Sequence, residues 1–536
     1  MKNIYIILFC LFSSLGFSQE DAWVYFNSKP NSQFYFDNPL EMLSQRSLDR
    51  RAAQNIALDF QDIPIDQSFV ETVDASAGIT VMARSKWLNA VHVRGTIANI
   101  NSLSALPFVS EIDFADNSLN TGRISQNSSA GHSNKILENQ VIFPYGNSDN
   151  QIMMLNGHLL HQQDYTGAGK IIAVLDAGFP AVDVVQPFAR LRDNNLILGG
   201  YNFVAGNDNF YTGNTHGTLV LSTMGGYTEN ELVGTAPDAA YYLFITEDIA
   251  NENPVEESYW VEAAETADSL GVDVINTSLG YFTYDNPAYS YTYEELNGQT
   301  AFASRGADIA FSRGMVVVVS AGNSGGSDNP HVAVPGDAVN VLTVGAVDAT
   351  GSYTTFSSIG PTADGRVKPD VMAQGQSAVL SNTSGNIVTA SGTSFSGPII
   401  AGMVATFWQA VPNLTNAEVV QVIKESSSLY TTPTSEMGYG IPDFQQALAL
   451  AQLSIVSQTA DSFILYPNPV QDQLYIALPS GEASASFTLY NGLGQVISAG
   501  EFANGQQINL ENVSSGVYYY RLASANKTRS GRLIKA

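Results

Sequence analysis

A serine hydroxyl becomes a useful nucleophile only when an imidazole stands ready to take its proton. The imidazole in turn needs a carboxylate to fix its tautomer and steady its charged form. Asp176 follows the apolar run Ile171-Ile172-Ala173-Val174-Leu175, and Ala177-Gly178 permits a sharp turn after it. That order places a carboxylate at the carboxyl edge of a sheet, where α/β folds build their sites. His216 stands in Asn214-Thr215-His216-Gly217-Thr218, ahead of the apolar Leu219-Val220-Leu221. The other histidines, His92, His132, His158, His161 and His331, have no comparable setting. Ser394 lies in Ser391-Gly392-Thr393-Ser394-Phe395-Ser396-Gly397-Pro398, which leads into an apolar helix over 399–408 with Pro398 in its first turn. The partial positive field of such a helix start favours developing negative charge. Asn323, in Ser320-Ala321-Gly322-Asn323-Ser324, offers a side-chain amide to a reacting oxygen. Taken singly, each is more often a turn, a cap or a Gly-Asn bend. Taken together, in the order Asp, His, Asn, Ser, each follows a strand or opens a helix, as acyl transfer requires.

The elements that must position these groups are visible as texture along the chain. Residues 171–175, 272–276, 315–320 and 341–347 are mostly apolar and rich in β-branched side chains, as suits parallel strands covered on both faces. Helix candidates such as 260–270, stopped by Gly271, lie between them. The expected fold class is therefore α/β, a doubly wound, mostly parallel sheet over residues 141–452. Before it, residues 19–140 read as a small α+β domain and linker. Strands are expected at 22–26, 78–82 and 109–114, helices at 68–75 and 97–104, and an exposed Ser-, Asn- and Gly-rich stretch at 117–133. After it, residues 463–536 alternate short apolar runs with Gly, Asn and Ser turns, the pattern of an all-β sandwich.

Composition narrows the function classes. With 50 acidic against 23 basic residues the formal net charge is −27, which argues against nucleic acid as a partner. Lys2, the apolar run 4–17 and small residues before Gln19 read as a secretory signal over residues 1–18. The one cysteine, Cys10, falls inside that segment, so the exported chain would have no disulfide, thiolate metal site or cysteine nucleophile. Gly167-Ala168-Gly169-Lys170 hints at a phosphate loop, but it precedes a strand and lacks the following Ser or Thr.

The four reacting segments resemble the motifs of subtilases, whose triad runs in the order Asp, His, Ser. Tyr165-Thr166-Gly167, Gly234-Thr235-Ala236-Pro237, Asn276-Thr277-Ser278-Leu279-Gly280, Val344-Gly345-Ala346-Val347 and Lys368-Pro369-Asp370-Val371 extend the similarity. It implies a secreted serine endopeptidase with Asp176, His216 and Ser394 as triad and Asn323 as oxyanion donor. It also implies that Ser278, Leu279, Gly280 and Gly322 bind substrate backbone, that proteins or peptides are the substrates, and that no cofactor is required. Structural calcium is known in the family, but no site is assigned; Asp208 and Asp328 sit in loops of ordinary type. Leu219 replaces a histidine often found there, and Phe395-Ser396 replaces Met-Ala after the nucleophile. The insert 281–300 is expected beside the substrate groove. The wall segment 330–335 carries no acid, favouring an apolar residue before the scissile bond.

The N-terminal domain resembles a subtilase propeptide, which implies an intramolecular inhibitor. The last domain resembles the C-terminal sorting domain of type IX secretion, through Tyr466-Pro467-Asn468-Pro469, Asn491-Gly492-Leu493-Gly494-Gln495 and Ser515-Gly516-Val517-Tyr518. That resemblance implies the type IX machinery as partner and an extracellular or surface-attached product. The competing reading is a surface binding protein or adhesin on a catalytically degenerate scaffold.

Overall fold

The N-terminal domain is built on four antiparallel strands. They are β1 (Glu20–Phe26), β2 (Ile79–Ser85), β3 (Ala90–Gly95) and β4 (Val109–Phe114), in the order β2-β3-β1-β4. The computed structural model describes residues 19–120, 143–460, 463–466, 470, 472–478, 482–491, 494–503, 506–511, 513–524 and 527–535. The signal-like segment with Cys10 and most of the linker therefore lie outside the described residues. Helices α1 (Gln45–Ala53), α2 (Gln67–Asp74) and α3 (Ile97–Ser102) accompany the sheet. Each is capped by a side chain, from Ser44, Asp66 and Thr96. Among the elements that went unread in the sequence are β3, whose His92 and Arg94 disguise a buried strand, and α1, whose charged face is buried.

The central α/β unit is built on seven parallel strands. These are β5 (Ile171–Asp176), β6 (Ile197–Asn202), β7 (Ala240–Ile245), β8 (Val274–Thr277), β9 (Val316–Ser320), β10 (Leu342–Val347) and β11 (Val371–Gln374), in the order β11-β10-β9-β8-β5-β7-β6. Every residue of β5, β8, β9 and β10 is buried, which is why those runs read as nearly continuous apolar segments. Helices α4 (His216–Gly225), α5 (Val255–Leu270), α6 (Phe302–Ser312) and α7 (Thr393–Ala410) cover the sheet. Gly271 ends α5 with φ 83°, a left-handed C-cap that favours glycine.

The N-terminal domain docks on α5 and α6. Trp23 stacks on Phe302 with ring centroids 5.0 Å apart and donates its indole N–H to Ser258 Oγ at 2.8 Å. Arg51 bridges Asp62 and Asp268 at 2.7 and 2.6 Å, with all three side chains buried. Glu265 accepts from the Ser85 hydroxyl and from the backbone N–H groups of Lys86 and Trp87.

The C-terminal unit, taken by itself, consists of a three-stranded and a four-stranded antiparallel sheet closing on Phe463, Leu474, Ile476, Phe487, Leu489 and Leu522. Residues 467–469 and 492–493 of its sequence signatures lie outside the described residues. Among the described residues, no helix is long and apolar enough to cross a membrane.

Candidate active site

Asp176 is the last residue of β5, so its side chain emerges where the sheet stops and the chain turns through Ala177-Gly178. Its Oδ1 accepts from the Ala177 backbone N–H at 2.7 Å and faces His216 Nδ1 at 2.8 Å. The loop after Asp176 is laced to the loop before His216. Phe179 donates its N–H to the Thr212 carbonyl and Asn214 donates to the Ala177 carbonyl, each at 2.9 Å. Asn214 Oδ1 accepts the His216 N–H at 2.9 Å, so a side chain fixes the start of α4. Gly217 completes the approach: a Cβ there would lie 2.5 Å from the Gly178 carbonyl and 3.0 Å from Asp176 Cβ.

The electrostatics follow from burial. The Asp176 side chain is 1% exposed and that of His216 33%. Asp176 Oδ2 is buried without a hydrogen-bond partner, and among the described residues His216 is the aspartate's one ion-pair partner. The Asp176 charge therefore lifts the His216 pKa above its ordinary value, outweighing the burial that lowers it.

Ser394 is the second residue of α7, and its hydroxyl donates to the Ser278 carbonyl at 3.3 Å rather than to His216. The Phe395 and His216 ring centroids are 6.0 Å apart, which places the helix start beside the imidazole. Pro398 is the sixth residue of α7, not part of its first turn as the sequence suggested, because the helix already begins at Thr393. Having no N–H, it cannot bond back to the Ser394 carbonyl four residues earlier.

Asn323 is oriented by its neighbour across the site. Its Oδ1 accepts from the Thr393 backbone N–H at 2.9 Å and from the Thr393 hydroxyl at 3.1 Å. The Thr393 hydroxyl also accepts the Gly322 N–H at 3.1 Å. With its oxygen engaged, the amide keeps its N–H₂ for something else. Gly322 holds φ 103°, and a Cβ on it would come within 2.9 Å of Ser358 Oγ.

Ser278, Leu279, Gly280, Gly322, Asn323 and Ser394 all line one open cavity of ≈ 580 Å³. Phe282, Thr283, Tyr284 and Asp285 of the insert wall the same cavity, so the insert lies beside the groove as expected. Thr393 and Asn214 escaped the sequence reading, although Gly-Thr-Ser at a helix start could have marked the first. Among the described residues no group of three or more His, Cys, Asp or Glu side chains is placed to hold a metal, Asp208 and Asp328 included.

A second Asp-His-Ser constellation shows why distance alone is not enough. His92 Nε2 lies 2.9 Å from Asp21 Oδ1, and its Nδ1 lies 2.9 Å from Ser258 Oγ. All three residues are buried at the interface of the N-terminal domain, and Ser258 already accepts from Trp23. No substrate could reach it.

Each part of the chain resembles a known family. Residues 167–440 match the family described as "Subtilase family", residues 21–133 the "Peptidase S8 propeptide domain, Bacteroidota", and residues 464–536 the "Secretion system C-terminal sorting domain". Subtilisin of Bacillus pumilus is 32% identical over 307 residues, covering 57% of this chain and 98% of that one. Subtilisin NAT of Bacillus subtilis subsp. natto is also 32% identical over 307 residues, covering 57% and 71%. The solved MycP3 protease from the type VII (ESX-3) secretion system aligns with 58% of this chain and 91% of its own, at 22% identity and a TM-score of 0.45. With a propeptide domain before its catalytic unit and a sorting domain that marks it for export, the chain belongs to the subtilase family and is a secreted serine endopeptidase.

Proposed function

We propose that Ser394 is the nucleophile of this endopeptidase, with His216 as its general base, Asp176 as the orienting carboxylate and Asn323 as an oxyanion donor. The observation that carries the reading is the 2.8 Å pair of a buried Asp176 and a half-exposed His216, beside the helix whose Ser394 opens onto the groove. For the reaction the Ser394 hydroxyl must leave the Ser278 carbonyl and turn to His216 Nε2. His216 then accepts the proton as Ser394 Oγ attacks the peptide carbonyl, and Asp176 stabilises the imidazolium. The Asn323 Nδ2 and a backbone N–H at the start of α7 meet the developing oxyanion. The imidazolium passes its proton to the leaving amine, and water releases the acyl group by the reverse sequence. None of these steps calls for a cofactor, and none is routed through calcium.

Protein or peptide substrates would lie extended against Ser278-Leu279-Gly280, with an apolar side chain between that strand and Ala333. The propeptide acts as an intramolecular inhibitor: it is clamped to α5 and α6, and Asn117 near its end donates to Glu295 of the insert that walls the groove. Replacing Ser394→Ala tests the assignment, since casein hydrolysis should vanish while the fold and the melting temperature stay. Casein cleavage by that variant at the wild-type rate would refute it.

A further inference from the structure

One carboxylate at the sheet edge has no part in the steps above. The strands β7, β5, β8 and β9 are neighbours in that order, so their ends present Glu247, Asp176, Ser278 and Asn323 in a row. Ile245 pairs with Asp176, and Thr246 donates its N–H to the Asp176 carbonyl at 3.1 Å, so Glu247 leaves the sheet beside the triad. Its Oε1 accepts from both Thr246 Oγ1 at 2.6 Å and the Tyr281 hydroxyl at 2.9 Å. Tyr281 directly follows Gly280 and is pinned by two backbone bonds to Val334, at 2.8 and 3.1 Å. Both donors thus fall on one oxygen. Glu247 Oε2 receives no hydrogen bond from the described residues, and the residue is half-buried.

We propose that Glu247 is a specificity-determining residue that receives a lysine or arginine at P2, the substrate position immediately before the residue held beside Ala333. The inference rests on the protease reading above and names the side chain its groove selects. An extended peptide sends successive side chains to opposite sides. If the first turns toward Asn323 and Ala333, the next turns across the Ser278 strand toward His216 and Glu247. An ammonium or guanidinium there meets an unoccupied carboxylate oxygen in a charge-assisted bond. Burial, and after it the nearby charges of Asp176 and Glu252, disfavour the ionised form of Glu247 in the free enzyme. A substrate cation relieves that penalty, whereas an acidic side chain adds to it. Glu252 and Asp285 line the neighbouring cavity that Ser278 and Ser394 share, and give it a field of the same sign. The linker between the propeptide and the catalytic unit has the matching pattern twice. Arg123-Ile124 and Lys135-Ile136 each set a basic residue before an apolar one, and no other Lys or Arg occurs between 117 and 140.

The test uses quenched fluorescent peptides that share isoleucine at P1 and differ only in Lys, Arg, Gln or Glu at P2. The readout is the ratio of kcat/KM values, which does not depend on how much of a preparation is folded. Wild type should favour Lys and Arg over Gln by about tenfold or more, with Glu poorest. Glu247→Gln should bring the Lys-to-Gln ratio within about twofold of one, and Glu247→Lys should invert the Lys-to-Glu order. A wild-type ratio near one, or a preference that Glu247→Gln retains, overturns the proposal. Cleavage of none of the peptides overturns the protease reading as well, so the two failures are told apart.

Discussion

At the scale of single residues, function depends on which atoms are left free. Asp176 spends its one hydrogen-bonded oxygen on His216 and the Ala177 N–H, and Asn323 spends its oxygen on Thr393. Replacing Asp176→Asn would present an amide where the imidazole N–H needs an acceptor, and kcat should fall by about 10⁴. The same change removes the charge that raises the His216 pKa. Because the base works only when neutral, kcat/KM rises with pH through that pKa. The acidic limb of wild type should therefore stand above the ordinary histidine range, near 6.5, and the limb of the variant should move to lower pH. A pH profile that does not move would separate Asp176 from His216. Asn323→Ala should cost about 10²–10³ in kcat with little change in KM, measured by steady-state kinetics. Residue types and order made these four positions legible in the sequence. The orientation of the Asn323 amide was not, because it is set by Thr393, seventy residues away along the chain.

At the scale of elements, close backbone approach decides whether the groups can meet. Gly217→Ala would drive a methyl group against the Gly178 carbonyl, the fully buried Phe179 ring and Asp176. We expect α4 to shift and kcat to drop by about 10²-fold, with a lowered Tm by thermal melt. The strands beneath the site were largely readable. Those of 171–176, 316–320 and 342–347 are buried on both faces, and their sequence is apolar but for Asp176, Ser320 and Thr343. The flanking strands were not. Ala240–Ile245 includes two tyrosines and Ile197–Asn202 two adjacent glycines, so neither looks like a core strand in isolation. Missing the first of them hid Glu247, which a reader of that strand end would have placed beside Asp176.

At the scale of the whole molecule, latency is an electrostatic matter. Asp268 is buried at the propeptide interface, and burial alone would raise its pKa. Arg50 and Arg51 overcome that and hold it below its ordinary value. The stabilisation this gives is present above the unfolded carboxylate value of about 3.9 and is lost as pH falls through the lower folded value. Docking of the propeptide should thus hold at neutral pH and weaken below about pH 4. Arg51→Ala removes the cation that Asp62 and Asp268 share, leaving them Arg313 and Arg50, and should loosen the domain. Thermal melts of the full chain carrying Ser394→Ala, with and without Arg51→Ala, would show a separate, earlier transition. A single unchanged transition would contradict the latch. The charged clamp could not be read from sequence, since its partners lie more than two hundred residues apart.

The central claim is that one hydroxyl among many in this chain is made nucleophilic by its surroundings. Treating the propeptide-free enzyme with a fluorophosphonate and mapping the adduct by peptide mass spectrometry tests it directly. The predicted result is a single covalent adduct on Ser394, absent in Ser394→Ala and much slowed in His216→Ala. An adduct on a different residue, or labelling at full rate without the imidazole, would contradict the account.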